Sequence, residues 1–186
     1  MENYKLTSVD NLTLSLNNKG ITSWTALLQF VKNIPYGRNE NRTNFSLVIS
    51  ENKGTCSSKH AYLKQIALLN NIDNVQLILG MYKMNAINTP KIGDTLLKNN
   101  LSYLPEAHCY LKISGKRVDV TTAQSDIENI VDHILIEKEI QPNQVIDFKV
   151  AYHQKLLKKW IKENKIPFTF HEIWKIREQC IINLST

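Results

Sequence analysis

The stretch "ENKGTCSSKHAYLKQIALLNN", residues 51–71, decides the fold because it sets a cysteine between a glycine turn and a helical run. Behind Cys56, apolar residues recur at the spacing of one helix face. They are Tyr62, Ile66 and Leu69, with Leu63, Ala67 and Leu68 widening the face. The pattern predicts a helix of about fifteen residues that follows Cys56. A free cysteine is most often a small buried hydrophobe, so this stretch alone favours packing over chemistry.

Composition places the chain among ordinary globular proteins. Its 186 residues, 42% hydrophobic and 22% charged, suit a single domain with its own core. Three cysteines, Cys56, Cys109 and Cys180, are too few and odd in number for a disulfide framework, which favours a reducing compartment. No apolar run reaches the ~20 residues that a membrane span needs. The N-terminus lacks the pattern of a secretory signal, so we expect a cytoplasmic protein without a membrane partner.

The net charge of +6 is a mild bias that could favour acidic partners. It is too small to indicate nucleic acid. The basic helix end "KKWIKENK", residues 158–165, is interpreted as a solvated face, because lysines near a helix C-terminus suit the helix dipole. We therefore expect no nucleic-acid partner.

Sequence patterns predict helices around three or four strands. Helices are predicted at residues 23–33, after Cys56, at 147–164, and after the capping-box patterns of Ser125 with Glu128 and Thr169 with Glu172. The predicted strands are "VQLILGMY" (75–82), covered on both faces, two runs around Ser114-Gly115, and "HILIEKEI" (133–140). "FSLVI" (45–49) is too short to assign. This order indicates an α+β fold rather than regular βαβ alternation.

The hairpin sorts its residues into two faces. With a two-residue turn at Ser114-Gly115, the pairs run from Ile113 opposite Lys116 back to Cys109 opposite Val120. The face expected on the core is apolar and carries Cys109, Leu111, Ile113, Val118 and Val120. The other face carries His108, Tyr110, Lys112, Arg117, Asp119 and Thr121. His108 and Asp119 are then diagonal neighbours, about 7–8 Å apart at the backbone and in reach of a hydrogen bond.

These three residues, Cys56, His108 and Asp119, meet the requirements of a thiol nucleophile. A helix N-terminus stabilises a thiolate, and an adjacent imidazole holds that thiolate as an ion pair and protonates a leaving group. The aspartate fixes the tautomer and orientation of the imidazole. Backbone N–H groups near Cys56 and Ser57 could stabilise an oxyanion. The alternative for His108 and Asp119 is a cross-strand pair on the surface.

A metal site is a further alternative for the same residues. Cys56 and His60 are four positions apart on one helix face, and His108 could join them as a third ligand. No Cys-x-x-Cys pair exists and no fourth ligand is evident, so we expect neither a metal nor a cofactor. His60 is interpreted as a helix-face residue. Cys109 and Cys180 are interpreted as core residues, and His133, His153 and His171 as structural or surface groups.

Two segments resemble the transglutaminase-like superfamily of papain-type cysteine enzymes. "NKGTCSSKHAYLKQIALLNNI" resembles the family's glycine-x-cysteine at the start of the central helix, and "EAHCYLKISGKRVDVTT" resembles its histidine strand, hairpin and aspartate strand. "VQLILGMY" resembles the strand that follows that helix. The resemblance covers about residues 23–122 and implies a small antiparallel sheet packed on the cysteine-bearing helix. Residues 125–186 are then a helical extension of one domain.

The resemblance implies acyl transfer at a thiol, with Cys56 as nucleophile, His108 as base and acid, and Asp119 as the orienting residue. The implied reaction is hydrolysis of a peptide or other amide-bearing substrate through a Cys56 thioester. Transfer to an amine is one alternative. A catalytically silent scaffold that binds a peptide or an acidic partner is another. Family members often add an upstream polar side chain for the oxyanion, and Tyr36 and Asn44 are the candidates here.

Overall fold

The computed structural model of the chain describes residues 2–184 and has the expected α+β architecture. Four strands form one antiparallel sheet in the order β3-β2-β1-β4. They are β1 (Val75–Met84), β2 (Leu104–Ile113), β3 (Lys116–Val118) and β4 (Ile134–Ile140). The α-helices of the described residues are α1 (Asn11–Asn17), α2 (Trp24–Asn33), α3 (Leu47–Ser50), α4 (Cys56–Leu69), α5 (Thr95–Lys98), α6 (Glu128–Val131), α7 (Asp147–Glu163) and α8 (Phe170–Asn183).

Helix α4 begins at Cys56 and lies at the centre of the fold. Its first turn is closed by a capping box, in which the Thr55 hydroxyl accepts the Ser58 N–H and the Ser58 hydroxyl accepts the Thr55 N–H. The sheet, α1, α3 and the 3-10 helix Pro142–Val145 all contact α4. The helix that carries the cysteine is therefore buried on most of its surface.

The burial of α4 corrects the predicted apolar face. Leu68 and Leu69, predicted on that face, are exposed at the C-terminal end of the helix, whereas Lys59 and Lys64 are buried. Each of these ammonium groups donates to a backbone carbonyl, at 2.7 Å for Lys59 and 2.6 Å for Lys64. The long aliphatic part of a lysine side chain can cross the core so that its ammonium group reaches such an acceptor. The spacing of apolar residues does not predict a buried lysine of this kind.

The hairpin register is the predicted one. Ser114 and Gly115 both have positive φ, 48° and 79°, as the two-residue type I′ turn requires. The paired residues are Leu111 with Val118, Lys112 with Arg117 and Ile113 with Lys116. The ladder ends at Val118, so Asp119 and Val120 follow β3 as an irregular segment.

The sheet has a hydrophobic core on each side. Cys109, Leu111 and Ile113 belong to the core that surrounds α4, as predicted. The opposite face of β2 is not a solvent face, because Tyr110 is fully buried in a second core with residues of α7 and α8. The prediction that β1 is covered on both faces is confirmed, since its buried residues divide between the two cores.

The remaining helices agree with the sequence patterns except at α6. Helices α7 and α8 lie where they were expected, and Thr169 and Glu172 form the predicted capping box. Ser125 and Glu128 do not form one: the Ser125 hydroxyl accepts the Thr122 N–H, and α6 is a single turn. The segment 45–49, left unassigned, contributes to α3. No helix within residues 2–184 has the length and apolar character needed to cross a membrane.

Replacing Gly80 by alanine is expected to destabilise the sheet. An added Cβ on this β1 residue would lie 2.6 Å from the Tyr110 ring. Because Tyr110 is fully buried, we expect the free energy of unfolding to fall by about 1–3 kcal/mol. Chemical denaturation followed by circular dichroism measures this loss. Gly37→Ala is the control, since its Cβ would meet only Lys53, at 3.4 Å or more. Equal losses in the two variants would contradict the tight contact at Gly80.

Candidate active site

Cys56 lies at the wall of a cavity of about 730 Å³. The start of α4, His108 of β2 and residues of α7 and α8 line this cavity. Cys56 is 9% exposed. As the first residue of α4 it occupies the turn whose N–H groups have no partner within the helix, a position that favours a thiolate over a thiol.

The structure brings His108 and Asp119 into the predicted hydrogen bond. His108 Nε2 is 2.8 Å from Asp119 Oδ2, and both side chains are largely buried. The N–H and hydroxyl of Thr121 donate to Asp119 Oδ1 at 2.9 and 2.6 Å. Burial alone would raise the pKa of Asp119, but the charge of His108 and these hydrogen bonds hold it well below its usual range. Asp119 is therefore a carboxylate that can orient the ring.

Cys56 and His108 line the same cavity, and each shifts the pKa of the other. Because Asp119 engages Nε2, Nδ1 is the ring nitrogen left to interact with the thiol. Burial lowers the pKa of His108, but the charges of Asp119 and Cys56 outweigh it and raise this pKa well above its ordinary value. Burial likewise opposes ionisation of Cys56, yet Lys149 and His108 lower the pKa of the thiol to about 6. At neutral pH the pair is a thiolate and an imidazolium.

Lys149 is a second cation at Cys56, and the sequence patterns did not predict it. Its Nζ lies 2.7 Å from Ser57 Oγ and 3.8 Å from Cys56 Sγ, and the residue is 8% exposed. Lys149 begins a buried face of α7 that continues with His153, Leu157 and Trp160. The apolar members of this face are visible in the sequence at helical spacing, but they do not show that Lys149 is buried with them.

His60 is a buried link between two segments rather than a helix-face residue. Its Nδ1 lies 2.8 Å from the Cys56 carbonyl oxygen, and its Nε2 lies 3.0 Å from the Val120 nitrogen. Because Val120 donates to Nε2, the ring proton is on Nδ1, which donates to the carbonyl. Burial lowers the pKa of His60 to about 4, so the ring is neutral.

The arrangement of His60 leaves no free nitrogen for the metal site considered with Cys56 and His108. Within residues 2–184, no three His, Cys, Asp or Glu side chains form a group that could hold a metal ion.

A buried ion pair also lines the cavity. Arg177 of α8 donates to the Glu106 carboxylate through Nε and Nη2, at 2.8 and 2.6 Å, in a bidentate contact. Glu106 is two residues before His108 on β2, so period-two alternation could have placed the two side chains on one face. Arg177 lies 71 residues after Glu106, and no local sequence pattern predicts that the two side chains meet. Nearby, His153 also lines the cavity and donates to the Pro105 carbonyl at 2.8 Å.

The two candidates for an oxyanion side chain are placed differently. Tyr36 lines the cavity, and burial raises the pKa of its phenol, so it remains a hydrogen-bond donor. Asn44 is exposed and accepts hydrogen bonds from the backbone and hydroxyl of Ser46. The structure therefore retains Tyr36 as a candidate and removes Asn44.

The other two cysteines are core residues, as predicted. Cys109 is fully buried, accepts a hydrogen bond from the Ser57 hydroxyl at 3.8 Å, and has its pKa raised by burial. Cys180 is also fully buried, and burial raises its pKa to about 11. Of the three thiols, only Cys56 has a lowered pKa.

Comparisons of the chain with protein-family models, curated proteins and solved structures gave no significant match. The chemistry of the site therefore rests on its geometry. A cysteine at a helix N-terminus, a histidine, a carboxylate and an ammonium group are in contact at one cavity. Such a set can hold a thiolate at neutral pH and can move a proton beside its sulfur.

Alkylation by iodoacetamide is expected to modify Cys56 first. Since the thiolate is the reacting form, the rate should rise as the pH increases through the Cys56 pKa of about 6 and level off above it. A free cysteine would show this rise near pH ~8.5. Mass spectrometry of peptides from timed samples gives the rate at each cysteine, with Cys180 as the internal control. If Cys56 reacts no faster than Cys180 at neutral pH, the thiol is not activated.

Proposed function

We propose that the chain is a cysteine-dependent acyl-transfer enzyme of the transglutaminase-like, papain-type class. Cys56 is the nucleophile, His108 the acid and base, and Asp119 the group that orients His108. The observation that carries the proposal is the hydrogen bond between Asp119 and His108 at the wall of one cavity with Cys56, whose thiol has its pKa lowered to about 6 by Lys149 and His108. The cysteine-bearing helix packed on an antiparallel sheet supports the same class.

The first half-reaction forms a thioester. The Cys56 thiolate attacks the carbonyl carbon of an amide, a C–S bond forms, and the carbonyl electron pair moves to the oxygen. Donors at the site stabilise that oxyanion. As the intermediate collapses, the C–N bond breaks and the His108 imidazolium gives its proton to the leaving amine. The acyl group is then bound to Cys56, and His108 is neutral.

The second half-reaction returns the enzyme to its starting state. Neutral His108 takes a proton from water, the resulting hydroxide attacks the thioester carbon, and the C–S bond breaks to release a carboxylic acid. The Cys56 thiolate and the His108 imidazolium are regenerated, and Asp119 stabilises the imidazolium. Water is the proposed acceptor because exposed residues, Arg42 and Gln124 among them, line the cavity and no second binding site is then needed.

The substrate is proposed to be a peptide or another amide-bearing molecule. A cavity of about 730 Å³ is in the size range that encloses a small-molecule-sized group. Its wall combines apolar and aromatic residues, Met84, Tyr82 and Trp174, with the polar groups described above. This combination suits one amide-bearing residue of a longer substrate.

A catalytically silent binding scaffold gains no specific support from the site. Burying a thiolate, an imidazolium and an ammonium group together has a desolvation cost that well-packed apolar residues would avoid. A scaffold has no use for a thiol whose pKa is lowered in this way. The electrostatics of Cys56 therefore favour catalysis.

p-Nitrophenyl acetate is expected to acetylate Cys56 with a burst of nitrophenolate. The ester supplies an activated acyl group, so it tests the nucleophile without knowledge of the natural substrate. Cys56→Ala should abolish the burst, and Asp119→Asn should slow acetylation by roughly 10²–10⁴-fold, because it disturbs the tautomer and charge of His108. Absorbance gives the rate, and mass spectrometry locates the acetyl group.

The matched control for this experiment is Cys180→Ala, which removes a buried thiol outside the proposed site. It should keep the wild-type burst. A burst of equal size in Cys56→Ala would show that another group is acetylated and would overturn the proposed nucleophile.

A further inference from the structure

Lys149 is a buried lysine without a salt-bridge partner among the residues that the structure describes. The residue is 8% exposed, and the salt bridges among residues 2–184 do not include it. Its Nζ instead contacts the Ser57 hydroxyl at 2.7 Å and the Cys56 sulfur at 3.8 Å. A buried ammonium group without an anion is costly. The anion in direct contact with it is the Cys56 thiolate.

The surroundings of Lys149 keep it charged. Burial lowers its pKa, but negative charge at Cys109, Cys56 and the Glu106 carboxylate outweighs burial and raises the pKa. Beside the Cys56 thiolate, Lys149 is therefore an ammonium group.

The hydrogen bonds of Lys149 leave one donor for a ligand. An ammonium group has three N–H bonds. One is given to Ser57 and one to Cys56, and Lys149 lines the same cavity as the sulfur. The Ser57 hydroxyl is itself oriented, because it donates to the Cys109 sulfur at 3.8 Å and accepts from Lys149. Within residues 2–184 the third N–H bond has no protein acceptor, so it is available to a group bound in the cavity.

We propose that Lys149 is a further catalytic residue, whose ammonium group holds the Cys56 sulfur as a thiolate and then binds the acyl oxygen of the substrate. This inference rests on the proposed acyl transfer. During attack, negative charge moves from the sulfur to the carbonyl oxygen, which is separated from the sulfur only by the acyl carbon. A cation within reach of both atoms stabilises the charge before and after the step. Ser57 is the positioning residue that fixes the ammonium group.

Lys149→Met tests the proposal because it keeps an unbranched side chain and removes the charge. The first measurement is the pH dependence of Cys56 alkylation by iodoacetamide. We expect the midpoint to rise by about one pH unit or more, because the variant lacks the positive charge that stabilises the Cys56 thiolate. Lys149→Arg should restore a low midpoint. Lys159→Met is the control, since Lys159 is an exposed lysine of the same helix.

The second measurement is the rate of Cys56 acetylation by p-nitrophenyl acetate at a pH above the alkylation midpoint of each variant. Under this condition every variant is a thiolate, so a lower rate reports a lost contact with the acyl oxygen. We expect Lys149→Met to be slower by roughly 10²-fold or more. An unchanged midpoint would overturn the contact with the thiolate, and an unchanged plateau rate would overturn the contact with the acyl oxygen.

Two features keep the result interpretable. Circular dichroism tests whether Lys149→Met is folded. If that variant is unfolded, Ser57→Ala replaces it, and we expect a smaller rise of the alkylation midpoint and a smaller loss of acetylation rate. Alkylation needs no turnover, so it still tests the contact of Lys149 with the thiolate if the wild-type chain forms no acetyl-enzyme. That last outcome would overturn the proposed function instead.

Discussion

The imidazole of His60 is the contact on which the geometry of the site depends. It joins the Cys56 carbonyl at the start of α4 to the Val120 N–H, which lies 60 residues after His60 in the chain. Because Asp119 precedes Val120, the same ring sets the position of the carboxylate relative to the sulfur. The contact needs a ring with one donor and one acceptor, and burial keeps it neutral by lowering its pKa to about 4. A second proton would remove the acceptor and break the link to Val120.

Around this neutral link, buried charges alternate in sign. The Asp119 carboxylate contacts the His108 imidazolium, and the Lys149 ammonium group contacts the Cys56 thiolate. His108 and Cys56 interact electrostatically between these two contacts. Each charge therefore has an opposite neighbour that offsets its burial, and the loss of one leaves another unpaired. Two cations act on one sulfur, so its pKa falls although burial alone would raise it.

The local part of the site could be predicted from the sequence, whereas the long-range part could not. Period-two alternation and the Ser114-Gly115 turn predict that His108 and Asp119 lie on one face. The ladder ends at Val118, so the final position of Asp119 depends on the link from Val120 to His60 as well. Lys149 meets Cys56 across 93 residues. Hydrophobic periodicity finds the buried face of α7 through its apolar members, but it does not show which polar side chains cross the core to an acceptor.

The C-terminal helices α7 and α8 lie outside residues 23–122, which contain Cys56, His108 and Asp119, yet they complete the cavity. A sheet that is apolar on both faces has to be covered on both. Helix α8 and part of α7 cover the second core, whereas Phe148, Tyr152 and Leu156 of α7 pack against the core around α4. Once α7 is packed there, the polar members of its buried face need partners, and Lys149 finds Ser57 and the Cys56 sulfur. The packing of α7 therefore also brings Lys149 to Cys56, where its charge lowers the pKa of the thiol. The reactivity of Cys56 thus depends on the docking of α7.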